Sequence, residues 1–116
     1  MRLTFLILTL LIIVAICGCR NTPIDKGNLN SVKESEIIDF TLEDISIPVG
    51  TTVVWTNIDN KSHTTTSGVP PEVSGIWDSP FLEENQKFSF TFDEVGEFHY
   101  WCRVHPFMMA RVNVKD

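Results

Sequence analysis

Cysteine is scarce in this 116-residue chain, with three in all, at positions 17, 19 and 102. Three cannot build a disulfide framework, and two of them stand far from the third. Basic residues are short as well: nine Lys and Arg face fifteen Asp and Glu, for a formal net charge of −6. That balance argues against a nucleic-acid binder, which needs a basic footprint. With 21% charged and 43% hydrophobic residues, the chain as a whole is neither disordered nor polytopic in a membrane. No internal repeat is visible, and no stretch keeps a helical period. The length allows one domain at most. Against these shortages, eight Phe and three Trp are many, and they predict an aromatic-rich core.

The N-terminus reads as a targeting segment. Arg2 precedes an apolar run from Leu3 to Gly18, interrupted only by Thr4 and Thr9. The run is shorter than the roughly 20 residues that span a bilayer. One basic residue, an apolar stretch and a small residue before a cut site fit a secretory signal. Ile16-Cys17-Gly18-Cys19 resembles a lipobox, with Cys17 an unusual occupant and Cys19 the residue to be lipidated. The expected organisation is a lipoprotein-type signal over residues 1–18 and a lipidated Cys19 with a flexible tether over 19–35. The folded domain then takes residues 36–116. An uncleaved N-terminal anchor helix is the alternative. Either way the domain is held at the extracytoplasmic face of a cell envelope, bacterial or archaeal. Cys102 is then a lone thiol outside the reducing cytosol, a liability unless something ligates it.

From Glu36 onward the signals are those of strands. Ile45, Ile47 and Val49 alternate before Gly50, and Val53 and Trp55 share a face in Thr51–Asn57. Phe88, Phe90 and Phe92 alternate with Ser89 and Thr91, a half-buried strand. Phe98, Tyr100 and Cys102 share one face, with His99 and Trp101 on the other, and Val112 and Val114 alternate at the end. Residues 67–86 carry Pro70, Pro71, Pro80, Gly68 and Gly75 and read as a long irregular connection, with Trp77 covering an edge. The fold expected is all-β, a small antiparallel Greek-key sandwich of about 80 residues, near the lower limit for a single core. A bound metal would help to stabilise it.

The residues suited to metal chemistry converge on one segment. Cys102-x2-His105-x2-Met108 gathers a thiolate, an imidazole and a thioether within a short loop, and His63 offers a second imidazole after the TNIDNKS turn. Strand parity points Cys102 inward with Phe98 and Tyr100. Two His, one Cys and a Met form the ligand set of a mononuclear copper electron-transfer centre, trigonal with a weak axial thioether. Zinc accepts the same donors, but a structural zinc site more typically recruits further Cys or His in place of Met.

The sequence resembles the cupredoxin family, in particular its plastocyanin, pseudoazurin and amicyanin group. IPVGTTVVWTNIDNKSHTTTSG is similar to the strand and turn leading to the first copper His, and FSFTFDEVGEFHYWCRVHPFMMARVNV to the last strands and copper loop. The HPFM run is closest to amicyanin. The resemblance implies a cupredoxin-like sandwich with His63, Cys102, His105 and Met108 as the ligands of one type 1 copper. Met109 stands beside Met108, although the spacing favours Met108 as the axial donor. Ala110 replaces a usual Gly, a source of strain if that position needs positive φ. Thr64 follows His63 where several relatives have Asn, and its hydroxyl is placed to tie the two ligand segments together.

The function expected is that of a membrane-tethered one-electron carrier that exchanges electrons transiently with a redox donor and acceptor. It is expected to act as a monomer, not as an enzyme, and to bind no nucleic acid. An extracytoplasmic copper storage or delivery protein is the alternative, weakened because only three Met occur and one is the initiator. A catalytic copper domain would need a second Cys or a second His cluster, and residues 36–116 carry neither.

Overall fold

The computed structural model describes residues 31–116. The expected signal, Cys19 and the greater part of the tether lie outside these residues. The described chain forms eight strands and no helix: β1 Val32–Ile37, β2 Ile45–Pro48, β3 Thr51–Asn57, β4 Thr66–Val69, β5 Glu72–Asp78, β6 Lys87–Phe92, β7 Gly96–Trp101 and β8 Met109–Lys115. They make two sheets, one in the order β1-β3-β6 and the other β2-β8-β7-β4-β5. The expected all-β sandwich is the observed fold, but its sheets are mixed. β1 runs parallel to β3 and β2 parallel to β8, while the other pairs are antiparallel. The reason is connectivity. A parallel neighbour needs a crossover, and β2 supplies it between β1 and β3 by lying in the opposite sheet.

The strands whose side chains alternate are where the sequence places them. β3 buries Thr51, Val53, Trp55 and Asn57, and β8 buries Ala110, Val112 and Val114. Trp55 from one sheet stacks on Trp77 from the other, with ring centroids 5.9 Å apart, and Tyr100 and Phe92 close around them. This aromatic layer joins Ile37, Leu82, Cys102 and Met108 in one core. Each large aromatic there removes about 150–250 Å² from water, which gives a short chain a sufficient core.

Three further expectations need correction. Val32–Ser35, assigned to the tether, forms the beginning of β1 and pairs with β3. Glu34 and Glu36 face outward and Lys33 pairs with Glu43, so the polar sequence hides the strand. The connection over residues 67–86 is not irregular: it contains most of β4 and all of β5. Trp77 does not merely cover an edge but is a core residue, stacked between the sheets. β5 is an edge strand with nearly every residue exposed, so it lacks the alternation that marks a strand. Its register with β4 shifts between Thr66 and Gly68. There the buried Ser67 hydroxyl accepts hydrogen bonds from the Ile76 and Trp77 amides and donates to the Trp77 carbonyl. Gly68 is obligatory, because a Cβ there would lie 2.2 Å from the Glu72 carbonyl oxygen. Trp101 lies on the opposite face to Cys102, as parity requires, and it too is buried.

Candidate metal centre

Two segments build the site, one leading into β4 and one following its neighbour β7. After β3, the chain loops through residues 58–62 and returns at His63, which forms an isolated bridge with Leu82. The His63 amide donates to the Leu82 carbonyl at 3.1 Å and the Leu82 amide to the His63 carbonyl at 2.8 Å. Asn57, fully buried at the end of β3, locks this loop. Its Nδ2 donates to the carbonyls of Lys61 and Leu82 at 2.8 and 2.7 Å, and its Oδ1 accepts from the Asp59 amide at 3.0 Å.

The second segment follows β7. The His105 amide donates to the Cys102 carbonyl (3.2 Å) and the Met108 amide to the His105 carbonyl (2.9 Å). The Cys102 amide donates to the Met108 carbonyl (3.0 Å) and closes the loop. The two-residue spacings are what successive i to i+3 turns require, so the backbone brings the three side chains to one end of the sandwich.

The donors of His63, Cys102 and His105 all lie within 4.8 Å of one another. Cys102 Sγ is 3.7 Å from His63 Nδ1 and 3.9 Å from His105 Nδ1, and the two Nδ1 atoms are 3.2 Å apart. Around a trigonal first-row ion with bonds of about 2.05 Å to nitrogen and 2.3 Å to sulfur, sulfur and nitrogen stand about 3.8 Å apart. The observed sulfur–nitrogen spacings fit, and the two nitrogens stand closer than the roughly 3.6 Å of an ideal trigonal plane. His63 Nε2 faces Asp59 Oδ2 at 2.8 Å, and donating there leaves Nδ1 of the neutral ring as a bare lone pair aimed at the other donors. Three such donor atoms converging at one point suit a cation. Met108 is buried in the core beside this cluster, whereas Met109 is 59% exposed.

The surroundings hold these donors still. The Thr64 amide donates to Cys102 Sγ at 3.3 Å, and Thr64 Oγ1 accepts from the Arg103 amide at 2.8 Å. The expected tie between the two ligand segments is thus made by both ends of Thr64. Arg103 pins the start of the loop to the second sheet, with Nε donating to Asp78 Oδ1 at 2.9 Å and Nη2 to the Ser79 carbonyl at 3.2 Å. Ala110 lies in extended β8 opposite Tyr100 and is not among the positive-φ residues, so the loop closes without strain there. Asp59 accepts the amides of Asp39 and Phe40 as well as the His63 ring. Partial burial works against its charge, but the Phe40 amide, the His63 ring and the Asp39 amide outweigh it, and its carboxyl is held below the usual carboxylate range. Asn57, Asp59, Phe40 and Arg103 were not singled out from sequence. An Asn closing a strand two residues before an Asp was the one local sign, since such pairs form Asx turns.

Residues 27–115 match the family described as copper binding proteins, plastocyanin/azurin family. Amicyanin-alpha of Methylorubrum extorquens is 33% identical over 76 residues, covering 66% of this chain and 64% of that protein. Amicyanin of Paracoccus denitrificans is 34% identical over 78 residues, covering 66% and 58%. The matched part thus spans less than two thirds of either curated relative. Among solved structures, a purple cupredoxin from Nitrosopumilus maritimus superposes with a TM-score of 0.64 at 31% identity, over 71% of this chain and 98% of that one. A Cu(I) structure of an amicyanin variant gives a TM-score of 0.65 at 26% identity, over 73% and 83%.

Proposed function

This chain belongs to the plastocyanin/azurin family of copper-binding proteins, and we propose that it is a membrane-tethered electron carrier with one type 1 copper held by His63, Cys102, His105 and Met108. The observation that carries this reading is the convergence of one sulfur and two imidazole nitrogens, all within 4.8 Å, in a frame fixed by backbone hydrogen bonds. Bound there, copper supplies a one-electron Cu(I)/Cu(II) couple. The mixed sulfur and imidazole donors accept both oxidation states.

The residues of the chain do the rest. The Thr64 amide and Asn57 fix Cys102 and the His63 loop, so the donors change position little with charge state. A rigid, largely buried pocket of this kind suits transfer rather than storage, which calls for an open site. Met108 supplies the axial thioether; its burial beside Cys102 supports that role, and the exposure of Met109 opposes the alternative. His105 is the half-buried ligand, flanked by exposed Pro106 and Phe107. Met109 shares a hollow with Val69, Pro70 and His99 on the face of the second sheet. Electrons pass through the His105 edge, where an apolar surface lets a partner approach closely without locking the complex. Glu83, Glu84, Asp93, Glu94 and Glu97 are exposed and available to steer a basic redox partner. The protein works as a monomer on the outer face of the cell envelope, anchored by lipid on Cys19 after removal of residues 1–18.

Two measurements test the proposal. Voltammetry of the copper-loaded protein is expected to give one reversible single-electron wave, and copper that leaves on reduction would instead favour delivery. Mass spectrometry is expected to find a lipid-modified Cys19 as the first residue, and an intact Met1 without lipid would overturn the anchor.

A further inference from the structure

Phe40 breaks a local rule. It follows Asp39 in a tight turn between β1 and β2, closed by the Thr41 amide donating to the Ile38 carbonyl at 3.0 Å. Asp39 and Phe40 have φ of 51° and 54°, so both central residues are left-handed, as a type I′ turn demands. Gly or Asn serves there at little cost, and a bulky aromatic side chain is an outlier. A residue keeps such a conformation only where its surroundings over-determine it, and such places cluster at functional sites.

The surroundings here are those of the metal centre. Asp59 accepts the Asp39 and Phe40 amides at 2.8 and 2.9 Å, and through Oδ2 also faces His63 Nε2 at 2.8 Å. One carboxylate therefore fixes both the strained turn and a metal-facing imidazole. The Phe40 ring is then delivered onto both imidazoles at once. Its centroid lies 5.3 Å from that of His63 at 87°, and 5.0 Å from that of His105 at 82°. These are edge-to-face contacts of the favoured kind. The other side of the ring meets solvent, with Phe40 40% exposed. The ring thus stands between bulk water and the gap between the two imidazoles.

We infer that Phe40 is the cover of the metal centre, a residue that controls access by keeping water and small anionic ligands away from a metal held between His63 and His105. The inference rests on the copper reading of the site. It explains why an aromatic residue stands where the turn would favour Gly: a Gly would relax the backbone and uncover the imidazoles. It also assigns Asp59 a second task, holding the cover in register with the ring it covers. The cover matters for a carrier, because an exchangeable water on the metal would have to move with each electron.

The test uses Phe40→Gly and Phe40→Ala beside wild type, and two readouts. The first is the rate at which apoprotein takes up Cu(II), followed by stopped flow. The second is titration of the copper-loaded protein with azide, followed by absorption and electron paramagnetic resonance. Both variants are expected to take up copper about tenfold faster, as two lost ring contacts allow. They are expected to show a saturable azide spectrum that wild type lacks. Phe40→Gly suits the left-handed backbone, so it folds even if the Ala variant does not. Wild-type uptake rates and no azide response in Phe40→Gly would overturn the inference. That outcome is distinct from failure of the copper reading, in which wild type itself would take up no copper and show no thiolate band.

Discussion

Asn57→Ala is the substitution that most severely tests how the His63 segment is held. Asn57 is fully buried and makes three side-chain hydrogen bonds, to the Lys61 and Leu82 carbonyls and from the Asp59 amide. Truncation removes all three and leaves the Lys61 carbonyl and the Asp59 amide without that partner, while the Leu82 carbonyl keeps the His63 amide. A neutral hydrogen bond contributes about 0.5–1.5 kcal/mol net, and each buried group left unsatisfied costs about 1–3 kcal/mol. Water entering the vacated space recovers part of this. The expected loss is about 2–4 kcal/mol in the apoprotein, a large share of the stability of a small domain. At about 4–8 °C per kcal/mol for this size, the midpoint falls by about 8–32 °C. Asn57→Asp should do worse, since a carboxylate then faces the carbonyls that the amide had bound. Thermal unfolding of apo and copper-loaded protein, followed by circular dichroism, measures both. The loss should be at least as large with copper bound, because copper stabilises both folded proteins and binds the loosened His63 loop no more tightly. An apoprotein midpoint within about 2 °C of wild type would refute the assignment of Asn57 as the lock of the loop.

Tyr100→Phe removes the hydroxyl that donates to the Glu43 carbonyl and accepts weakly from Trp55, so a loss of about 1–2 kcal/mol is expected in denaturant titration. Burial, opposed by the Trp55 bond and reinforced by the charges of Glu43 and Asp44, pushes the Tyr100 pKa well above its ordinary 10.0. Its contribution is therefore whole below pH 10.0 and falls as pH rises beyond it, by about 1.4 kcal/mol per unit; alkaline unfolding should move to higher pH in the Phe variant. Thr64→Val deprives the Arg103 amide of its acceptor, and copper-loaded protein should lose about 1–3 kcal/mol while keeping its colour, because the Thr64 amide still reaches Cys102 sulfur. Met108→Leu should keep copper and raise the reduction potential, as loss of an axial donor destabilises Cu(II), whereas Met109→Leu should leave voltammetry unchanged.

The strands that alternate were legible because one face meets the core and the other water, which writes burial into residue type. β3, β6, β7 and β8 are of this kind. β5 was not, because an edge strand with almost no buried side chain carries no such record, and β4 was masked by a buried Ser and a Gly at its bulge. The start of β1 was lost to its Lys and Glu residues. In the site, the Cys102–Met108 segment was readable because its donors and its turns are local. His63 was readable by resemblance to a known turn. Asp59 reaches Phe40 across 19 positions and Arg103 reaches Thr64 across 39, and no local pattern announces either tie. The parallel pairs escaped for a similar reason: they depend on which sheet the intervening strand joins.

The central claim is that one copper sits between His63, Cys102 and His105 with a direct bond to the Cys102 sulfur. The absorption spectrum of the copper-loaded protein tests it, measured beside Cys102→Ser loaded in the same way. The expected result is one copper per chain and an intense band in the orange-red from charge transfer out of the thiolate, absent in the serine variant. A serine variant with the same band, or a wild-type protein that binds copper without one, would contradict it.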